Sequence, residues 1–429
     1  MKGQALVLGG GSGTRFAPIS DERAKPATPF GSGRVMDWVL SNLYHSGIHM
    51  ISVLLQSESR SAERHIRHGW YSRIGVGRDQ EIKTLLPIQG ANGGWYIGTA
   101  DAISKNIREI EEYSADVVNI LGADHIYMMD YSQMNQFHID REAHLTISAI
   151  PVKRELAAKN YGVIVVDEDW RVIGWEEKPE NPTAMPGNPD YCLASMGNYA
   201  FQPEPLLEEL IRDAAKEYAN PKTDEGLKKI QESPDQYSSH DFGFDVIPTM
   251  LRAGAPMFVY NLMDNMIPGL SDIQRGQWRD IGNIDEYYRA AMDMKGPNPL
   301  INPNTPGWEI LTYAESHAPA LISSTPDHIG LTMNSAISPG VVSIGAAIEN
   351  SVIGYNVLIE EATNIMNSVI MGNANIGQHV FIKKAIIDKH VTIPYGTSIG
   401  ANKEEDIARG FTVTDSGITV VPRGYSFNK

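Results

Sequence analysis

The sequence is poor in cysteine. Cys192 stands alone among 429 residues, which excludes an intrachain disulfide and makes a reducing compartment the expectation. It has no apolar run approaching the length of a membrane span, and Met1-Lys2-Gly3 leads into an apolar strand pattern with no signal core ahead of it. A cytoplasmic protein with no membrane partner is expected. Basic residues are in deficit, 36 Lys and Arg against 52 Asp and Glu, for a formal charge of −16. A nucleic acid or an anionic bilayer would need clustered cations, so neither is expected as a partner.

Two phosphate-binding signatures are missing as well. A dinucleotide fingerprint begun at Gly9 or Gly11 puts Thr14 or Phe16 where the last glycine belongs, and no Gly-Lys-Ser/Thr closes a P-loop. What stands there is Leu6 to Phe30, LVLGGGSGTRFAPISDERAKPATPF. The apolar Ala5 to Leu8 reads as a buried parallel strand that empties into Gly9, Gly10, Gly11 and Gly13, followed by Thr14 and the cations Arg15 and Lys25. Glycine lets backbone N–H groups approach phosphate oxygens, while Arg15 and Lys25 can neutralise charge as a phosphoryl bond breaks.

GGGxGTR followed by RAKPAxPF resembles the signature of the sugar-1-phosphate nucleotidylyltransferases, and in particular the branch that joins ATP to glucose 1-phosphate. The resemblance implies ATP and glucose 1-phosphate as substrates, ADP-glucose and pyrophosphate as products, and Mg²⁺ as cofactor. Leu8, the glycines and Thr14 would line the nucleotide, with Arg15, Lys25 and Asp124 in catalysis.

Along the chain, helical spacing over Met36 to Ser46 precedes a strand at Met50 to Leu55. A helix at Ser59 to His68, a strand at Ile82 to Ile88, a helix at Thr99 to Glu112 and a strand at Val117 to Leu121 follow. That alternation predicts a mixed, mostly parallel α/β sheet of Rossmann-like type with helices on both faces. Ligands sit beyond the carboxyl ends of such strands. Asp124, in GADHIYMMDY, would stand there as a carboxylate for a hard divalent cation. Gln89 after LLP offers a donor and an acceptor to a base edge. Gly94, Tyr96 and Thr99 lie in GGWYIGTADA, where Thr99 is also a plausible N-cap. By resemblance Gln89, Gly94 and Thr99 contact the nucleotide, and Tyr96 the sugar phosphate.

Tyr161 to Val166 and Val172 to Trp175 read as strands leading to Glu177-Lys178-Pro179, an acid for hydroxyls beside an ammonium for phosphate. Gly162, Glu177, Lys178, Ser195, Tyr199, Asp241, Phe242 and Trp278 are the sugar-phosphate contacts implied by the resemblance, and Asp280 in WRDIG is the second metal carboxylate. Asp213 to Gln236 reads as a solvated helix and loop, and a helix is expected around Asp245 to Ala253. His240 reads as structural, because an ionised phosphate nucleophile needs no base.

Gly296 to Gly307 holds four prolines in twelve residues and marks a boundary. Residues 1–296 are expected to form the catalytic domain, 297–310 a linker, and 311–429 a second domain. There Ile353, Ile370 and Ile387 are 17 apart, as are Ile359, Ile376 and Ile393, and Ile365, Ile382 and Ile399. This register predicts a solenoid with three faces per turn. It resembles the hexapeptide left-handed parallel β-helix, which implies by analogy a homotetramer and an oligomerising or regulatory role. An independent acyltransferase would use His379 or His390. A small-molecule allosteric effector is expected, but Gly33 and Glu58 stand where sugar-bisphosphate-activated members often carry Lys. The other readings are a sister enzyme using UTP, dTTP or glucosamine 1-phosphate, and a non-catalytic regulatory subunit.

Overall fold

Because Ala5, Leu6 and Val7 are apolar without alternation, strand β1 (Gly3–Leu8) is buried on both faces and lies inside a nine-stranded sheet. The computed structural model describes residues 1–10, 14–87, 94–313 and 317–427. The other strands of this sheet are β2 (Met50–Leu54), β3 (Glu81–Leu85), β4 (Val117–Gly122), β5 (Leu145–Lys153), β6 (Gly162–Val166), β7 (Val172–Glu177), β8 (Tyr191–Phe201) and β9 (Met257–Asn261). Their order is β7-β6-β8-β4-β1-β2-β3, with β5 paired to β8 and β9 to β5. Strands β4, β1, β2 and β3 run parallel, whereas β8 is antiparallel to β4, β5 and β6. Leu8 pairs with both Leu54 and Gly122, so the chain leaving β1 at Gly9 and the residues after β4 lie on the same edge.

Three local expectations change. The predicted helix from Thr99 to Glu112 is two, Thr99–Ser104 and Arg108–Tyr113. Ser104 Oγ donates to the Asp101 carbonyl and Asn106 Nδ2 to that of Ala102, and such side-chain bonds compete with helix continuation. The helix expected from Asp245 is preceded by a π-turn, Phe242–Val246, which leads into Ile247–Arg252. Asp213 is not solvated: it is buried and accepts from Ser238 Oγ at 2.7 Å.

The isoleucine register forms ladders. Ile353 pairs with Ile370 and that with Ile387; the columns through Ile359 and Ile365 stack likewise, on three parallel sheets of a parallel β-helix. All nine side chains are buried. The corners repeat at the same interval, with positive φ at Ala362, His379 and Gly396, and again at Asn356, Asn373 and His390. His379 and His390 are thus corner residues of a coil.

The proline-rich stretch is docked on the helix Met36–His45, where Trp308 Nε1 donates to Asn42 Oδ1 (3.0 Å) and Thr312 Oγ1 to Asp37 Oδ2 (2.7 Å). Phe16, Ile19, Phe30 and Tyr287 share one apolar cluster with Val352, Val369, Met371 and Ile386 of the β-helix. Arg23 crosses this junction to bond both carboxylate oxygens of Asp388, at 2.8 and 2.9 Å. Tyr288 adds a hydrogen bond to the Asn367 carbonyl at 2.6 Å.

Candidate active site

At the edge shared by β1 and β4, the chain turns at Gly9, whose N–H donates to the Leu54 carbonyl at 2.8 Å. Gly10 is exposed, and Thr14–Phe16 forms a short 3-10 turn with Phe16 buried and Arg15 exposed. Gly11, Gly13 and Gln89 lie outside the described residues. No hydrogen bond or ion pair between described residues engages the Arg15 side chain, which leaves it available to an incoming anion. Lys25 opens the next 3-10 turn, fixed by the buried Pro26 and Ala27 behind it.

Two distant parts of the chain meet at Lys25. Its Nζ lies 2.7 Å from Asp124 Oδ2 and 3.8 Å from Asp280 Oδ1. Asp124 follows β4, and Asp280 ends a short strand, Trp278–Asp280, paired antiparallel with His125–Tyr127. Burial alone would raise the Asp124 carboxyl, but the Lys25 ammonium, then His125, pull it down to about 2. Both carboxylates are one-third exposed, so the site is open to a ligand. Two hard oxygen donors converging on one point, already shared by an ammonium, suit a divalent cation that accompanies phosphates.

A second cluster lies at the start of β6, the end of β7 and the middle of β8. The Glu177 carboxylate fits between Gly162 and Gly243: a Cβ at these positions would stand 3.3 and 3.1 Å from its Oε2. Burial raises the Glu177 carboxyl, opposed by Lys178, whose Nζ is 3.3 Å away. Lys178 is itself half-exposed. Strand β8 shifts register between Ser195 and Tyr199, and Gly197 turns there with φ +67°. Ser195 Oγ accepts from the Gly197 N–H at 3.2 Å, and the Tyr199 ring packs 5.6 Å from that of Phe242. The shifted segment joins the two clusters, since Asn198 Oδ1 accepts from the Gly122 N–H at 3.4 Å.

Thr99 is not the cap of its helix; Gly98 holds that position. The Thr99 hydroxyl instead donates to Asp241 Oδ2 (2.8 Å) and accepts from the Phe242 N–H (3.0 Å). Two N–H groups of the first helical turn, of Ala100 and Asp101, donate to the His240 carbonyl at 2.9 and 3.2 Å. That approach requires Gly98, where a Cβ would be 2.1 Å from the same oxygen. Tyr96 is tied by its N–H to Gln56 Oε1 (3.0 Å) and by its hydroxyl to Asn106 (3.1 Å), while Gly94 has open space around it. Trp278 is buried with its ring centre 5.3 Å from those of His125 and Tyr161 in edge-to-face packing, so it backs the carboxylate site.

Four positioning residues carry little sequence signal. Asp213 holds His240 Nδ1 at 2.8 Å, Asp101 accepts from the Ile97 N–H, Gln56 anchors Tyr96, and Arg23 secures the loop of Lys25. Each partner is dozens of residues away or reached through a backbone group, and only the RAKP spacing hints at Arg23.

Comparison with known proteins agrees with this geometry. Residues 4–296 match the nucleotidyl transferase family, and residues 318–421 match the GlmU-like C-terminal hexapeptide family. The chain is 40% identical to a glucose-1-phosphate adenylyltransferase of Thermus thermophilus, over 98% of both chains. It is 39% identical to the enzyme of that name from Trichlorobacter lovleyi, over 98% of this chain and 96% of the relative. It is also 40% identical to glucose-1-phosphate adenylyltransferase 2 of Pseudoalteromonas atlantica, over 98% and 94%. The chain belongs to the nucleotidyl transferase family, within its glucose-1-phosphate adenylyltransferase branch.

Proposed function

We propose that the crevice transfers the AMP moiety of ATP to glucose 1-phosphate, giving ADP-glucose and pyrophosphate for glycogen-type glucan synthesis. The observation that carries this reading is the convergence of Lys25, Asp124 and Asp280 at 2.7 and 3.8 Å on the edge where the chain leaves β1 at Gly9. A sugar-phosphate oxygen attacks the α-phosphorus, and the pyrophosphate bond opposite it breaks; no covalent enzyme intermediate is needed. Arg15 and Lys25 neutralise the departing pyrophosphate. Lys178 holds the attacking phosphate, while Glu177, fixed between two glycines, accepts from sugar hydroxyls. Tyr199, Phe242 and Asp241 wall the sugar, and Leu8 with the glycine loop and Gly94 to Thr99 receives the nucleotide. Asp124 and Asp280 would hold Mg²⁺, which would supply Lewis-acid neutralisation of phosphate charge.

In this reading residues 1–296 are the catalytic domain, 297–310 the connection, and 311–429 a β-helix that assembles a cytoplasmic homotetramer. Among the described residues no helix is long and apolar enough to cross a membrane. A small anionic effector is supported by a cavity of about 370 Å³ between the sheet domain and the β-helix, lined by Arg34, Arg64, His65, Lys389 and His390. Burial, then the nearby Arg34, Arg23 and Arg423, lower the Lys389 ammonium to about 8, against the opposing influence of Asp388.

A panel of nucleotides against sugar phosphates tests the assignment. ATP with glucose 1-phosphate should give the highest kcat/KM, with pyrophosphate released in equal amount to ADP-glucose. Preference for UTP, dTTP or glucosamine 1-phosphate, or no turnover at all, overturns it.

A further inference from the structure

His125 follows Asp124 in the chain and faces Asp280 across the short strand pair, where the two residues are directly opposite and so project on the same side. Its Nε2 is 3.5 Å from Asp124 Oδ1 and 3.6 Å from Asp280 Oδ1. Neither separation is that of a hydrogen bond. Both are the spacing of atoms that share an ion: two donors about 2.1 Å from one cation lie roughly 3.0 Å apart at right angles and about 4.2 Å apart across it. One donor atom from each of Asp124, His125 and Asp280 falls within 4.8 Å of the others. The other ring nitrogen, Nδ1, is buried, and among the described residues hydrogen bonding consumes neither nitrogen. Trp278 behind the ring, edge-on at 5.3 Å, holds it toward the carboxylates.

Resting on the two-carboxylate cation site proposed above, we propose that His125 Nε2 is its third protein ligand, which shifts the preference of the site from Mg²⁺ toward first-row divalent ions such as Mn²⁺. Mg²⁺ takes oxygen donors and parts reluctantly with water, whereas imidazole is a good ligand for transition metals. Lys25 is the competitor: its ammonium bridges the same two acids, so an entering cation displaces it toward the phosphates.

The test is Mn²⁺ binding to the full-length protein, followed by electron paramagnetic resonance and pulsed spin-echo spectroscopy, with histidine imidazoles carrying ¹⁵N or natural nitrogen. The expected result is a directly bound imidazole nitrogen whose coupling changes with the isotope and vanishes in His125→Gln, with Mn²⁺ affinity weakened about tenfold or more. His125→Asn supplies the same comparison if the glutamine variant does not fold. Mn²⁺ bound in an Asp124-dependent manner without nitrogen coupling, or with coupling that survives both substitutions, overturns the role of His125 and leaves the carboxylate site standing. Mn²⁺ binding that is indifferent to Asp124→Asn and Asp280→Asn overturns the carboxylate site itself.

Discussion

Two cations stand two residues apart in the RAKP segment, and they meet carboxylates of opposite kinds. Lys25 reaches Asp124 and Asp280 through single contacts at a crevice whose acids are one-third exposed. Arg23 makes a two-pronged bond to Asp388 in the β-helix with both side chains essentially excluded from water. One pair lies at an open crevice; the other is closed within the protein, both oxygens of its carboxylate taken by the guanidinium. The loop therefore carries the ammonium proposed to act in catalysis at one end and is fastened to the second domain by the other, which makes the β-helix part of the support for the proposed active site.

The comparison breaks most visibly at Asp124. Asp124→Asn should lower turnover by at least about a thousandfold, the scale on which preorganised charge acts in phosphoryl transfer, while the melting temperature stays close to that of the parent. Equal losses of fold and activity would place Asp124 with the structural pairs. Arg23→Met should do the reverse: removing one partner of a buried pair costs about 3–5 kcal/mol, read as a large drop in melting temperature. Arg23→Met combined with Asp388→Leu should recover much of that drop, because no buried charge is left unpaired. A double variant no better than the single one would mean that the guanidinium contributes something besides its charge.

Gly98 sharpens the contrast where the two roles meet in one turn. Gly98→Ala places a methyl 2.1 Å from the His240 carbonyl oxygen and 2.7 Å from that of Ser239, both backbone atoms that cannot swing aside. The expected cost is about 1–3 kcal/mol of stability. A rise in KM for ATP should accompany it, since Thr99 next door loses its register with Asp241.

How far the sequence disclosed this arrangement depended on how local each cause was. The isoleucine ladders were legible because a 17-residue repeat directly states which side chains stack. The placement of Asp124 followed from the rule that strand ends face ligands, and its convergence with Asp280 from the family motifs. Thr99 was misread as a cap because local sequence shows a hydroxyl at a helix start, yet its partners, Asp241 and Phe242, are over 140 residues away. Asp213 escaped for the same reason: it sits in a polar stretch, and only the fold reveals that Ser238 and His240 close over it. Periodicity and end rules carry information along the chain, whereas buried polar pairs depend on what folding brings together.

His240 and Asp213 offer a buried pair that, unlike Arg23 and Asp388, can be discharged near neutral pH. The hydrogen bond to Asp213 raises the His240 imidazole above its ordinary 6.5; burial opposes this, and the charges of Asp213, Asp101 and Asp245 assist it. A group whose folded value is raised contributes stability that is full below its unfolded value, and that contribution fades as the pH climbs through the folded value. The melting temperature should therefore fall as pH rises from about 6.5 into the mildly alkaline range. His240→Gln should flatten that slope and start from a lower value at acid pH. The same titration should loosen the turn at Gly98, because the His240 carbonyl receives the N–H groups of Ala100 and Asp101 in the first turn of the helix after it. Backbone hydrogen exchange at Ala100 and Asp101 should then quicken with pH beyond its ordinary base dependence in the parent, and lose that excess in the glutamine variant. An unchanged slope would mean that Asp213 holds the neutral ring as firmly as the charged one, and that the pair behaves as the arginine pair does.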